Sequence, residues 1–279
     1  MRKRELSKMD IERFRENLIQ EEKSSATVEK YFRDAHAFYL FLEGQSITKE
    51  KVLEYKQGLV EKGYAVRSIN SMLASINNLL GFLKCTECRV KTLKTQRRIY
   101  SAEDRELTKA EYYRLVEAAR NNPRLCLLLQ TICSSGIRVS ELQYFTVEAV
   151  QQGEVVISCK GKTRTILVPG SLRKKLFDFT NKYGIQSGVI FRTKSGKPMN
   201  RSNIWAEMKK LCQMANVKAS KVFPHNLRKL FARTFYGIEQ DIAKLADILG
   251  HSNIETTRIY IMTTGMEHRR KIERLGLVV

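Results

Sequence analysis

No stretch of the 279 residues reaches the roughly 18 consecutive apolar positions that would span a bilayer, so no membrane helix is expected. The opening MRKRELSKMDIERFREN is basic but leads into no apolar segment, which argues against a secretory signal. Six cysteines, at 85, 88, 126, 133, 159 and 212, lack the density of a disulfide scaffold and suit a reducing, cytoplasmic setting. Cys85 and Cys88 form a CxxC, but there is no second CxxC and the four histidines are scattered. A four-ligand zinc site is therefore not expected, and the pair reads as chance placement at a helix end. Also missing are a Walker A loop, a GxGxxG after a strand, an HExxH and a GxSxG elbow. Carboxylates are not gathered in the D-x-D manner that collects magnesium, which disfavours a metal-dependent nuclease or polymerase. No cofactor and no metal are expected.

Acid is in short supply as well. Fifty Lys and Arg face 29 Asp and Glu, for a net charge of +21. Such an excess attracts polyanions from a distance, and nucleic acid is the leading partner. An unusually soluble surface, or ribosome or membrane association, would be the ordinary alternatives. With 43% hydrophobic and 9% aromatic residues the chain has enough apolar material for a packed core.

The first ninety or so residues read as four helices. Ile11, Phe14, Leu18 and Ile19 fall at helical spacing in the first. Val28, Tyr31, Phe32, Ala35, Phe38, Tyr39 and Leu42 do so in the second, with Gly44 as its C-terminal cap. A third helix runs over about 48–62 to Gly63, and a fourth carries Ile69, Leu73, Ile76, Leu80 and Leu83 on one stripe. No strand-like alternation interrupts them. RVKTLKTQRR, 89–98, then brings five basic residues and no acid. We expect domain 1–88, a basic linker 89–106, and a second domain 107–279 with a C-terminal tail. Lys91, Lys94, Arg97 and Arg98 would form a strap along a phosphate backbone, or else a solvated tether.

Thr108 and Glu111 have the spacing of a capping box, and a buried helix ends at Gly136. EVVIS and RTILVP flank CKGKT as a β-hairpin, and GVIF reads as a further short strand. From about 200 to 274 the pattern is helical again. The fold class is mainly α: a small four-helix domain, then an α+β domain with a small antiparallel hairpin.

The residues left for chemistry are cations and one tyrosine. His225 and Arg228 are three apart and share a helix face. Arg138 follows the glycine break, with Glu141 three residues on to orient its guanidinium. Lys160 and Lys162 stand in the hairpin tip. Gly250 can end one helix and Ser252 can cap the next, with Glu255 completing a capping box. That puts His251 in a corner and Tyr260 about two turns further on. Preplaced cations can stabilise a phosphodiester under attack without metal, a tyrosine can attack phosphorus, and Lys160 can protonate the departing oxygen. Taken singly, each has an ordinary alternative: a surface arginine, a structural histidine, a core tyrosine, a turn lysine.

Taken together, GIRVSEL (136–142), HNLRK (225–229) and LGHSNIETTRIY (249–260) resemble, in order, the three boxes of the tyrosine recombinase (phage integrase) family. The resemblance covers nearly the whole chain and implies a SAM-like core-binding domain, a linker and a catalytic domain. It implies that Arg138, His225, Arg228 and His251 activate the scissile phosphate, that Tyr260 is the nucleophile, that Lys160 is the general acid and that Glu141 supports Arg138. The product would be a 3′-phosphotyrosyl link, and four protomers would exchange strands of double-stranded DNA through a Holliday junction, the protein being able to exist as a monomer free in solution. Lys229 stands where many members carry a second histidine. There is no room for an arm-binding domain and no large insertion between the last boxes, so the simple Xer-like layout fits best. Lys30, Arg33, Arg67, Ser68 and Asn70, near helix starts or on polar faces, are candidate DNA contacts with Lys162 and the linker cations. A catalytically silent DNA-binding protein of the same fold, or a type IB topoisomerase, would be the alternatives. The tail LGLVV would dock on a neighbouring protomer or fold back on its own domain.

Overall fold

The structure is a computed structural model that describes residues 4–94, 105–159, 162–263 and 265–277. Two compact units are present, Met1–Arg97 and Arg98–Val279.

In the first unit, α1 (Lys8–Gln20) starts on a Ser7–Asp10 capping box, in which each side chain accepts from the other's backbone N–H. It is followed by α2 (Ser25–Leu42), α3 (Lys49–Glu61) and α4 (Val66–Phe82). The α4 stripe of Ile69, Leu73, Ile76, Leu80 and Leu83 is buried as its spacing requires, and Phe14, Leu18, Ala35 and Phe38 close the core from α1 and α2. Ile19 departs from its expected place and is 58% exposed, because Leu18 beside it already occupies the inward direction. The second helix ends one residue before the expected cap, with Glu43 itself left-handed at φ 47°. Two short strands, β1 (Arg4–Glu5) and β2 (Ser46–Ile47), pair antiparallel; each has only two residues, too few to show alternation in sequence.

Residues at both ends of the expected linker are anchored to the units they adjoin. Asn77 accepts from Val90 N and donates to Val90 O, at 3.0 and 2.8 Å. Asn70 makes the same two-way clamp on Leu93, at 2.7 and 2.9 Å. Val90 is buried in the first unit. Two asparagines on α4 thus continue the chain as if they were a pairing strand, each satisfying a full peptide's donor and acceptor. At the far side, Glu106 and Leu107 are buried in the second unit. Cys85 and Cys88 are both buried around a 3-10 turn, Thr86–Cys88, and among the described residues no group of three or more His, Cys, Asp or Glu could hold a metal ion.

The second unit is built around α6 (Pro123–Ser135), whose Leu125, Leu127, Leu128, Leu129, Thr131 and Ile132 are buried. α5 (Lys109–Ala118) opens on the Thr108–Glu111 capping box. After α7 (Val147–Gln152) comes a hairpin of β3 (Glu154–Cys159) and β4 (Lys162–Leu167), registered Val155↔Ile166 and Ile157↔Arg164. The buried Val155, Ile157 and Ile166 define its inner face, and the register puts Arg164 on that same face. The segment GVIF, 188–191, is not a strand: it makes a single bridge, Thr146↔Val189. Its apolar run buries Ile190 and Phe191 in the core without a partner strand. Six α-helices complete the described part of the unit: α8 (Gly170–Lys182), α9 (Arg201–Met214), α10 (Pro224–Glu239), α11 (Ile242–Leu249), α12 (Ile254–Ile261) and α13 (Gly265–Glu273). α10, α11 and α12 enclose a small core of Ala232, Leu245, Leu249 and Tyr260.

Candidate active site

Two helix ends, tied together by Arg228, lead into candidate residues. α6 stops at Gly136, left-handed at φ 64°, where a Cβ would run into the Phe231 ring of α10. The chain leaves as Ile137, which is buried, and Arg138. Arg138 heads a 3-10 turn (Val139–Tyr144) and is locked to Glu141 twice, Arg138 N donating at 2.6 Å and Nη1 at 2.9 Å. α11 stops at Gly250, φ 63°, and His251 N donates to Ala246 O at 2.9 Å, the long bond of a Schellman ending. The cap of the next helix is Asn253, whose Oδ1 accepts from Glu255 N at 2.8 Å. The expected Ser252 cap is thus displaced by one residue, to an asparagine that ranks at least as high for the position.

The end of α11 is held in an unusual way. The last carbonyls of a helix have no partner within it, and its C-terminus favours positive charge. Here three successive carbonyls take three different arginines: Ile248 O from Arg164 Nη1 at 2.5 Å, Leu249 O from Arg228 Nη2 at 2.6 Å, and Gly250 O from Arg138 Nη2 at 3.2 Å. The corner that carries His251 is therefore built out of the cations around it. Arg228 also donates to Gly136 O, so it ties the end of α6 to the end of α11.

Arg228 is 1% exposed, and its Nε is buried with no partner among the described residues. Burial, then the nearby Arg138, pull its pKa down to about 10, which still leaves it charged at neutral pH. Its Nη2 lies 3.0 Å from His251 Nε2. A guanidinium only donates, so Nε2 must accept, and the His251 proton belongs on Nδ1, facing Thr257 Oγ1 at 2.9 Å. Tyr260 is 7% exposed. Its hydroxyl lies 3.4 Å from His225 Nδ1, and its ring sits 4.8 Å from His225, 4.9 Å from His251 and 5.8 Å below the Arg228 guanidinium carbon.

Burial, followed by Lys229 and Arg228, lowers the His225 pKa to about 4; burial, followed by Arg228 and Arg138, lowers His251 to about 4. Both are neutral in the free protein at pH 7. The unfolded chain binds protons on these groups near pH 6.5, whereas the folded chain resists until about 4. Stability from them is complete above about pH 6.5 and is lost as pH falls from there through about 4. Thermal melts across that window should show a falling Tm, with the slope reduced in His225→Asn and His251→Asn; a melt curve equally steep in both variants would contradict the assignment.

The structure brings Arg138, Glu141, His225, Arg228, His251 and Tyr260 into one cup. Lys160 lies outside the described residues; Lys162 opens β4. Two residues that sequence reading missed belong to the cup. Arg164 donates to Glu141 Oε2 at 2.6 Å, and Thr257 orients His251. A cation in phase with Ile166 and Val168 on an inward strand face was the available signal for the first. Lys229 turns away, to the buried Glu106 at 3.1 Å.

In the first unit, Lys30 is not free for DNA: its ammonium donates to Asp34 Oδ2, Ser71 O and Ser75 Oγ at 2.6, 2.9 and 2.8 Å, which uses all three protons. Asn70 is spent on Leu93. Both side chains are engaged within the first unit. Arg33, Arg67 and Ser68 are exposed, as are Lys91 and Lys94, while Arg97 and Arg98 lie outside the described residues.

Residues 105–265 match the phage integrase family, and residues 11–86 match its N-terminal SAM-like domain. The chain is 28% identical over 287 residues to Tyrosine recombinase XerA of Pyrococcus furiosus, covering 100% of this chain and 98% of that one. It is 27% identical over 265 residues to Tyrosine recombinase XerD of Halalkalibacterium halodurans, covering 86% and 88%. Among solved structures it shares its fold with a lambda integrase tetramer bound to a Holliday junction, at TM-score 0.75, 17% identity, 93% of this chain and 78% of that one. A crystal structure of XerA recombinase matches at TM-score 0.55 and 23% identity over 97% and 99%. With more than half of its length in the catalytic match and a further stretch in the SAM-like one, this chain belongs to the phage integrase family.

Proposed function

We propose that the chain is a site-specific DNA recombinase that cuts and rejoins double-stranded DNA through a 3′-phosphotyrosyl intermediate. One observation carries the reading: the Tyr260 hydroxyl opens into the same cup as Arg138, His225, Arg228 and His251. A non-bridging phosphate oxygen placed there would meet the guanidiniums of Arg138 and Arg228, and the latter has a buried, unpartnered Nε, a donor that costs roughly 1–3 kcal/mol to leave unsatisfied. Tyr260 Oη attacks phosphorus as its proton passes to His225 Nδ1, the P–O5′ bond breaks, and Lys160 protonates the leaving oxygen. The arriving anion raises both histidine pKa values, which turns a weak base into an adequate one and lets His251 donate. No metal is required for the charge stabilisation.

We take 1–88 and 107–279 as the core-binding and catalytic domains, with Lys91, Lys94, Arg97, Arg98 and Lys162 following the phosphate backbone beside Arg33, Arg67 and Ser68. Four protomers acting on two duplexes are the assembly consistent with the Holliday-junction neighbour. A cytoplasmic location is proposed with it; among the described residues no helix is long and apolar enough to cross a membrane.

The test uses supercoiled plasmids with and without the DNA that flanks the gene. Recombinant joints and branched intermediates on the flanking sequence alone are expected. Relaxation of every plasmid would indicate a type IB topoisomerase, and binding with no strand breakage a silent relative. With a net charge of +21, affinity for duplex DNA should fall steeply with salt, about 1000-fold or more between 50 and 200 mM for six or more phosphate contacts. A titration flat in salt would contradict the electrostatic argument.

A further inference from the structure

We propose that Arg164 is a positioning residue for strand cleavage, acting through Glu141 and the end of α11 to leave the charge of Arg138 uncompensated for the ligand and His251 aimed. The inference rests on the reading of the cup as a phosphate site.

Glu141 is the only carboxylate among the groups described above as forming the cup, and it is buried. Alone, it would cancel Arg138: one guanidinium against one carboxylate presents no net charge to an incoming phosphate. Arg164 changes that balance. Glu141 Oε1 takes Arg138 Nη1 at 2.9 Å and Oε2 takes Arg164 Nη2 at 2.6 Å, so the trio carries one net positive charge. Because the Arg164 side chain is only 14% exposed and Arg138 is 42% exposed, the outward member of the trio is Arg138. The rear arginine absorbs the carboxylate, and the front one keeps its field for the ligand.

The same guanidinium fixes position. Its other arm holds Ile248 O, three residues before His251, at 2.5 Å. Its stem lies against Gly250: a Cβ there would stand 2.6 Å from Arg164 Cδ, in a backbone at φ 63° that side chains rarely adopt. Arg164 belongs to β4, four residues after Lys160, paired with the buried Ile157. One fork therefore joins the hairpin of the proposed general acid, the carboxylate behind the first arginine, and the corner of the second histidine. Planar geometry suits this double engagement; a lysine ammonium would supply the charge without the fork. Displacing a reacting group by about 1 Å is enough to cost roughly 100-fold in rate.

The experiment is a single-turnover measurement of covalent adduct on a nicked duplex, with DNA affinity and melting measured in parallel. Arg164→Gln should slow adduct formation about 100-fold while affinity stays nearly constant. Arg164→Lys, which keeps the charge and most of the stem and guards against a folding failure, should be about tenfold slow. A positioning role through Glu141 also predicts that the Arg164→Gln defect shrinks once Glu141→Gln is present, because no carboxylate is left to neutralise and only the hold on Ile248 O remains to be lost. A general loss of packing would instead give multiplied defects. Arg164→Gln or Arg164→Lys cleaving at the parental rate, or defects that multiply with Glu141→Gln, would overturn the inference. Should the parental protein itself form no adduct, the recombinase reading fails first, and the two failures are told apart by that control.

Discussion

Arg228→Ala is expected to slow strand cleavage by about three orders of magnitude or more, the effect of removing an arginine that stabilises a phosphoryl transition state. The structure gives the reason this arginine should outrank the others. It is the only one of the three at 1% exposure, it bridges Gly136 O and Leu249 O, and it is the group that fixes the His251 tautomer. Removing it takes charge from the phosphate, leaves two carbonyls without a donor and frees the imidazole. The fold should suffer too, by about 2–5 kcal/mol, from orphaned polar groups and a cavity. Arg228→Lys separates the two effects, because one ammonium retains charge but cannot serve three acceptors arranged around a plane. Single-turnover cleavage on a nicked duplex, with melting of each variant, decides the matter. A loss of only a few-fold in a folded Arg228→Ala would remove this residue from its assigned role.

Tyr260→Phe should abolish the covalent adduct altogether while leaving DNA binding in place. The ring is held by Ala232, Leu245 and Leu249 and flanked by both imidazoles, and phenylalanine preserves all of that. What disappears is the oxygen, whose described hydrogen bond is one long contact of 3.4 Å to His225. Little stability is at stake, whereas the nucleophile is lost outright. Filter binding and adduct gels on the same preparation give both readouts. Residual adduct at a comparable level would mean that another residue attacks.

The parts of this molecule that could be read from sequence are those with local causes. The Thr108–Glu111 capping box, the α4 stripe and the Gly136 and Gly250 breaks all involve residues within a turn or two of each other. Beyond local shifts of one residue, such as the cap at Asn253, the features missed involve partners distant in sequence. Lys30 looked like a phosphate contact because two of its three acceptors lie 41 and 45 residues away, although the third, Asp34, is one helical turn on. Asn70 looked free because its partner, Leu93, sits in a stretch whose basic composition suggested a tether. Arg164 was passed over for a related reason: a cation in a basic hairpin reads as surface, although its phase with Ile166 and its register with Ile157 both place it on the inner face. GVIF has strand chemistry but forms only one isolated bridge, with Thr146, so its burial is met by core packing rather than by a ladder. The cup itself combines three segments separated by about ninety and then about twenty residues. Their convergence could be expected from the resemblance of three ordered boxes, while the arginine-by-arginine capping of α11 could not.

The account stands on Tyr260 attacking a phosphate that side chains alone have activated. Its most direct test is to trap the cleaved complex on a nicked duplex in the presence of a chelator, digest it, and identify by mass spectrometry which residue carries which DNA end. A 3′-phosphate on Tyr260, with a free 5′-hydroxyl on the other fragment, is the predicted result. A link to any other side chain, a 5′-phosphate, or an adduct that disappears with the chelator would contradict it.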